Sequence, residues 1–306
     1  MIKKLKFLLL IIIPLFFLIT GLQFERVKYT SDPESAYLMN GVNIAMWKTV
    51  GHHDHPGTTV QTYNALVLRM THFFRFSDND FQTDVLLNSE YYIEVLRKSF
   101  IAVNAYVLLI LGLVTFLFLG SFLAGLLLQI APFLSVTLVQ ELFTKIAPEQ
   151  FLFTVTAVLT MLLIKFYISR DQCWKGYPLL FGLIGGFGMA TKITFLPILV
   201  IPFLLLKGKL NKLIYVVSII FSFVLFTLPA VPRYPAMFDW VFNIGTHTGI
   251  YGAGNTGFID SAVYFSSLNS IIENNKSMIA VMLLSVVVLL FTLFVVEKQQ
   301  LLPKKH

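Results

Sequence analysis

Lys3-Lys4-Leu5-Lys6-Phe7-Leu8-Leu9-Leu10-Ile11-Ile12-Ile13-Pro14-Leu15-Phe16-Phe17-Leu18-Ile19-Thr20-Gly21-Leu22 decides the fold class. Three lysines precede an apolar run long enough to cross a hydrocarbon core. No small-x-small cleavage pattern stands before Gln23-Phe24-Glu25-Arg26, so the run reads as a retained membrane anchor. Further apolar runs follow at about 99–120, 122–140, 150–168, 177–191, 193–206, 213–230 and 277–296. Most approach the roughly 20 residues that a helical span needs, and two are short. The expectation is an all-α polytopic membrane protein with about eight transmembrane helices.

Composition agrees with that class. With 57% hydrophobic and 13% charged residues and a mean hydropathy of +0.77, the chain is too apolar for a soluble domain. The net charge of +7 comes with lysines clustered beside apolar runs, which points to anionic lipid headgroups as partners and not to nucleic acid. Cys173 is the single cysteine, so no intrachain disulfide and no cysteine-based zinc site can form. No repeat and no low-complexity linker divides the chain, and residues 1–306 read as one membrane domain.

Charge bias orients the runs. If each crosses once, Lys3-Lys4-Lys6, Arg170 with Lys175, Lys207-Gly208-Lys209 with Lys212, and Lys298 with Lys304-Lys305 share one side, the side short basic loops take in the cytoplasm. Both termini are then cytoplasmic, as in a bacterial inner (plasma) membrane protein. Segments 23–98, 141–149 and 231–276 face outward and hold nearly all the acids and histidines. The first outer loop, 23–98, has helical periodicity over Glu34 to Val50 and Thr58 to Phe76, which predicts two surface helices. Ser31 or Asp32 can cap the first, with Pro33 at its first position.

Asp32-Pro33-Glu34 places two carboxylates just past the first span, where acids are costly unless something pairs or uses them. A cap and a general base are compatible roles for Asp32, because a helix N-terminus holds a carboxylate ionised. Glu34 is the second candidate. Lys192 and Arg233 stand at outer span ends and can meet a lipid phosphate, Arg as a bidentate fork and Lys as a point charge. Snorkelling to ordinary headgroups is the equal alternative for each. His52-His53-Asp54-His55 offers either divalent-metal ligands or a polar turn lining a donor or acceptor pocket. His247 reads as a polar loop residue. Glu141 and Lys145 are spaced to pair on one helical turn. Gly182, Gly185, Gly186 and Gly188 lie inside an apolar run and read as a helix-packing face. The Gly245–Gly257 stretch reads as a flexible outer loop.

The Lys-rich start, the single span, the outer Asp-x-Glu, the two surface helices separated by His55-Pro56 and the closely spaced spans together resemble the GT-C membrane glycosyltransferases. The nearest branch is that of the protein O-mannosyltransferases and aminoarabinose transferases, over roughly residues 1–230. Ala147-Pro148-Glu149-Gln150 is similar to the family's second acidic position, and Gly188-Met189-Ala190-Thr191-Lys192 to its segment of small residues followed by Thr-Lys. The resemblance implies transfer of a sugar, with inversion, from a polyprenyl-phosphate donor to an outer-face glycan, lipid or protein acceptor. Asp32 is then the base and Glu34 its runner-up, with Asp54, His55, Glu149, Lys192 and Arg233 binding substrate or donor. No cofactor is required, and a divalent metal held by His52, His53 and Asp54 is an option. Family members usually carry more spans and often an outer soluble domain, so a minimal transferase, a truncated relative and a partner-dependent subunit are all compatible with the chain. The competing class is a lipid or polysaccharide flippase, which would break its helices and place ionisable groups near the midplane. A non-catalytic membrane subunit would need none of the acids.

Overall fold

Residues 2–27, 34–51, 56–169, 176–248, 256–257 and 260–287 are described by the computed structural model, and every regular element among them is helical. Helix α1 (Ile2–Gln23) carries the quoted apolar run. Its Leu10 and Phe17 are buried while Leu8, Ile12 and Phe16 are exposed, so one stripe packs on protein and the opposite one suits lipid.

The first loop folds into helices α2 (Glu34–Ala45), α3 (Thr58–Arg75) and α4 (Phe81–Leu87). Helix α3 falls where periodicity placed it, α2 starts at Glu34 as expected but stops at Ala45, short of Val50, and α4 is an addition. Asp80 starts it, its carboxylate accepting from the Thr83 N–H at 3.1 Å. These helices share a core with the head of α5 (Ser89–Leu119): Tyr37 and Val42 from α2, Leu68 from α3, Val85 from α4, and Tyr92 and Phe100 from α5. Helix α5 begins at Ser89, not near 99. Its polar first turns stay helical because Glu94 accepts from Arg97 at 2.6 Å and pairs with Lys98 at 3.3 Å, one turn away each.

The run at 122–140, expected to be one span, is broken. Helix α6 (Phe122–Ile130) passes through a 3-10 turn at Ala131–Leu134 into α7 (Val136–Thr144), with a bend of 82°. Pro132 cannot donate within a continuing helix, and Ser135 then caps α7 by accepting from the Leu138 N–H at 3.3 Å. Next come α8 (Glu149–Ile168), α9 (Gly176–Thr191), a 3-10 turn (Ile193–Leu199) leading into α10 (Val200–Leu205), and α11 (Lys209–Phe226). After a 3-10 turn (Leu228–Arg233), α12 (Tyr234–Gly245), α13 (Ser261–Asn274) and α14 (Lys276–Val287) complete the described chain, α13 and α14 meeting at 89°. The segment 231–276, expected as a loop, therefore contains helices.

Among the described residues four helices, α1, α5, α8 and α11, are long and apolar enough to cross a membrane, and up to six spans result if each bent pair counts as one. The expected count of about eight is larger because α9 has only 16 residues and the Ile193–Leu205 run starts as a 3-10 turn. Helices α9 and α11 run parallel and unusually close. A Cβ at Gly182 would meet the Ser218 Cβ at 2.4 Å, and one at Gly186 would meet the Ile219 carbonyl oxygen at 2.4 Å. Only glycine allows this approach, as the packing-face reading of these positions anticipated.

Cross-links between elements define the ends of the bundle. Arg97, fully buried, donates to the carbonyls of Gly21 at 3.0 Å and Phe143 at 2.5 Å. Phe187 stacks edge-on against Phe226, and at the far end Phe7 meets Phe116. The first-loop helices, the 145–148 turn, Lys192 and the Leu228–Arg233 turn therefore share one end.

Candidate functional site

The carboxylate of Glu34 is buried at the start of α2. Arg26 donates to it at 2.7 Å and also pairs with Glu90, and the Ile146 N–H donates to its other oxygen at 2.8 Å. Burial pushes the Glu34 carboxyl above its ordinary pKa, against the opposing pull of the Ile146 amide and Arg26. Each oxygen of Glu34 thus already has a partner, and together they tie α1, α2, α5 and the 145–148 turn into one joint.

A second polar joint lies where α3 meets the bundle. Lys192 donates to Glu149 at 2.7 Å, both side chains partly buried. The Lys192 backbone forms a lone antiparallel bridge with Pro56, and beside it Thr59 donates to the Thr191 hydroxyl at 2.8 Å. Thr191 in turn donates to the Phe187 carbonyl at 2.9 Å. Two residues expected in the site from separate stretches, Glu149 and Lys192, are therefore in contact. Glu149 Oε2 is buried and has no hydrogen-bond partner among the described residues.

Below this pair, Gln150 donates to the carbonyls of Glu141, Leu142 and Lys145 at 3.1, 3.2 and 2.9 Å, closing the open end of α7, and accepts from Asn104 at 2.8 Å. Lys145 pairs with Glu141 at 2.7 Å, as their spacing anticipated. Arg233 ends the Leu228–Arg233 turn with its side chain exposed. Asp32, His52, His53, Asp54 and His55 lie outside the described residues, and among the described residues no cluster of His, Cys, Asp or Glu has the grouping to hold a metal ion.

At the same end, a groove of about 540 Å³ separates the first loop from the end of α11. Ile44, Trp47 and Lys48 line one wall, and Leu225, Phe226 and Pro229 the other.

Sequence reasoning did not single out Arg26, Glu90, Arg97, Trp47 or Asp84. Asp84 is buried between α3, α4 and α5: Tyr92 donates to it, as do Ser77 at 2.9 Å and Asn88 at 3.0 Å, with His72 at 3.2 Å and Arg75 at 3.5 Å. Its only sequence signal was an acid one turn into a short apolar helix, a place with no ready explanation on a solvated face.

No family model, curated protein or solved structure matches the chain. The class these observations define is an all-helical protein with, among the described residues, four to six candidate membrane-spanning helices and the first-loop helices gathered at one end.

Proposed function

We propose that the protein is a membrane glycosyltransferase that moves a sugar from a polyprenyl-phosphate carrier to an outer-face glycan, lipid or protein. The observation that supports this most is the Glu149–Lys192 pair, held where the first-loop helices clamp the bundle, with Glu149 Oε2 buried and without a partner among the described residues. A buried carboxylate oxygen left without a donor is costly, and an arriving sugar hydroxyl would complete it. In this reading Asp32 takes the proton from the acceptor hydroxyl as that oxygen attacks the anomeric carbon, and the lipid phosphate leaves on the opposite face. Lys192 and Arg233 offset the charge on the departing phosphate. Glu34 is already engaged by Arg26 and Ile146, which favours Asp32 over Glu34 as the base. Asp54 and His55 are proposed to bind substrate or donor, and His52, His53 and Asp54 are the proposed ligands if a divalent ion takes part.

The proposal places eight passages in the membrane by adding the shorter α9 and Ile193–Leu205 runs to α1, α5, α6–α7, α8, α11 and α14. It puts the capped end outside and both termini in the cytoplasm, as in a bacterial plasma membrane. In a Cys173→Ser background, a cysteine at Thr49 should react with an impermeant thiol reagent added outside, and one at Gly208 should not. Labelling at Gly208 alone would reverse the orientation and remove the outer-face chemistry.

The broken α6–α7 passage favours a second reading, a flippase. The nitrogen of its buried amide, however, is employed within the protein: Gln129 donates to the carbonyls of Leu10 at 3.0 Å and Leu108 at 3.1 Å, bonding three helices together, while its Oε1 has no hydrogen-bond partner among the described residues. Mass spectrometry of lipids that co-purify in mild detergent separates the classes. A transferase should carry a polyprenyl-phosphate sugar and lose the sugar when acceptor is added. A flippase would leave the sugar–phosphate bond intact, and a non-catalytic subunit would carry no such lipid.

A further inference from the structure

Helix α2 ends in a turn that calls for glycine and has tryptophan. The Lys48 N–H donates to the Asn43 carbonyl at 2.8 Å and the Trp47 N–H to the Ile44 carbonyl at 3.0 Å, the two bonds of a left-handed helix stop. Trp47 occupies its left-handed position with φ 58°. An L-residue is strained there and glycine is not. Packing does not account for the choice, because Trp47 is 97% exposed. The fold therefore holds a large indole outward at a position where its backbone is disfavoured, and such strain concentrates at ligand clamps.

Trp47 and Lys48 form one side of the groove described above. The facing wall is made by Leu225 and Phe226, the last residues of a helix long enough to span, followed by Pro229. The groove thus opens where a span ends, at the depth where a lipid's hydrocarbon chain meets its headgroup. Indole rings favour that boundary, one face apolar and one edge polar. Lys48, exposed, supplies the one charged side chain of a mostly apolar lining that also holds Thr49 and Thr62.

We infer that this groove seats the first isoprene units of a polyprenyl-phosphate carrier, with the indole of Trp47 over the chain and the ammonium of Lys48 on the phosphate. Lys48 adds to Lys192 and Arg233 a third cation for the carrier phosphate, and a groove of about 540 Å³ has room for the first units of one chain. The inference rests on the transferase reading for the identity of the carrier, and on the turn and the groove for its location.

The test measures binding of a polyprenyl monophosphate and of dioleoyl phosphatidate to the full chain in mild detergent by native mass spectrometry. Wild type should prefer the polyprenyl monophosphate. Lys48→Gln should weaken it about tenfold, the scale of one charge-assisted hydrogen bond. Leu225→Trp, which fills the groove, should weaken it at least as much. Trp47→Gly should weaken it while leaving the thermal midpoint unchanged or higher, because glycine relieves the left-handed turn; a merely structural tryptophan would show the reverse. Lys207→Gln, in the turn before α11 at the opposite end, should bind as wild type. Unchanged affinity in all three groove variants would overturn the location and leave the transferase reading standing. Equal binding of both lipids would overturn the carrier as occupant. Failure of wild type to bind the polyprenyl monophosphate would sink both readings. Carrier binding lost in the variants but no sugar transfer by wild type would uphold the groove and remove the transferase.

Discussion

Asp32→Asn should lower sugar transfer by roughly 10²–10⁴-fold, the range a positioned general base supplies. The substitution keeps the shape of the side chain and its ability to accept a hydrogen bond, but it cannot take a proton from the acceptor hydroxyl. Expression, membrane insertion and binding of the polyprenyl-phosphate donor should therefore stay near wild type, with the loss confined to turnover. Glu34→Gln should behave differently. It weakens the partner of Arg26 within a buried joint that links α1, α2, α5 and the Ile146 amide, so transfer and thermal midpoint should fall together. Turnover by Asp32→Asn within a few-fold of wild type, measured with a polyprenyl-phosphate sugar and a matched acceptor, would remove Asp32 as the base.

The legible parts of the fold were those written in local pattern. The run opening at Leu5 is α1, the periodicity over 58–76 is α3 at Thr58–Arg75, and Gly182 and Gly186 are a contact face on α11, with Gly188 against Phe195. Each of these needs only neighbours within a few turns. Two boundaries differ from the apolar runs because hydropathy marks neither a charged helical turn nor a proline break. Helix α5 begins at Ser89, ahead of the apolar run at 99–120, since Glu94, Arg97 and Lys98 pair along its own surface. The break at 131–135 was announced by Ala131-Pro132 inside an apolar run, where a proline removes a donor and the next serine can cap.

The candidate site was legible as residue types but not as partnerships. Glu149 and Lys192 were each marked, yet nothing in a single sequence says that residues 43 apart in the chain donate and accept from one another. Glu34 was marked as an acid at a mouth, and its Arg26 partner lay eight residues earlier in what read as a plain connector. Long-range pairing depends on how helices cross, and crossing is set by packing among many side chains. Trp47 is the reverse case. Its aromatic identity fitted the apolar face of an amphipathic stretch, while only the backbone reveals that it stands outside the helix with a left-handed φ.

Asp84→Ala should give the largest loss of stability in the first-loop cap. The carboxylate is buried and receives Tyr92, Ser77 and Asn88, with His72 and Arg75 close by, so one side chain joins the end of α3, α4 and the head of α5. Removing it leaves these donors and the Arg75 charge facing a void, a class of change that costs about 3–5 kcal/mol. In mild detergent the thermal midpoint should fall by roughly 10 °C, and proteolysis between α3 and α4 should quicken. Asp80→Ala, which removes only the exposed cap of α4, should do much less. Acid should distinguish the two states of Asp84. Burial alone would raise its pKa, but the hydrogen bonds from Tyr92, Ser77 and His72 and the charge of Arg75 more than reverse this and hold it below the ordinary carboxylate value. A depressed pKa stabilises the fold above the unfolded value of about 3.9, and that contribution is lost as pH falls through the lower folded value. The difference in midpoint between wild type and Asp84→Ala should hold steady from about pH 5 to pH 8 and narrow below about pH 4. A midpoint for Asp84→Ala equal to that of wild type at pH 7 would show that the cap is held by its apolar core of Tyr37, Leu68 and Phe100 alone, with the Asp84 network contributing nothing to it.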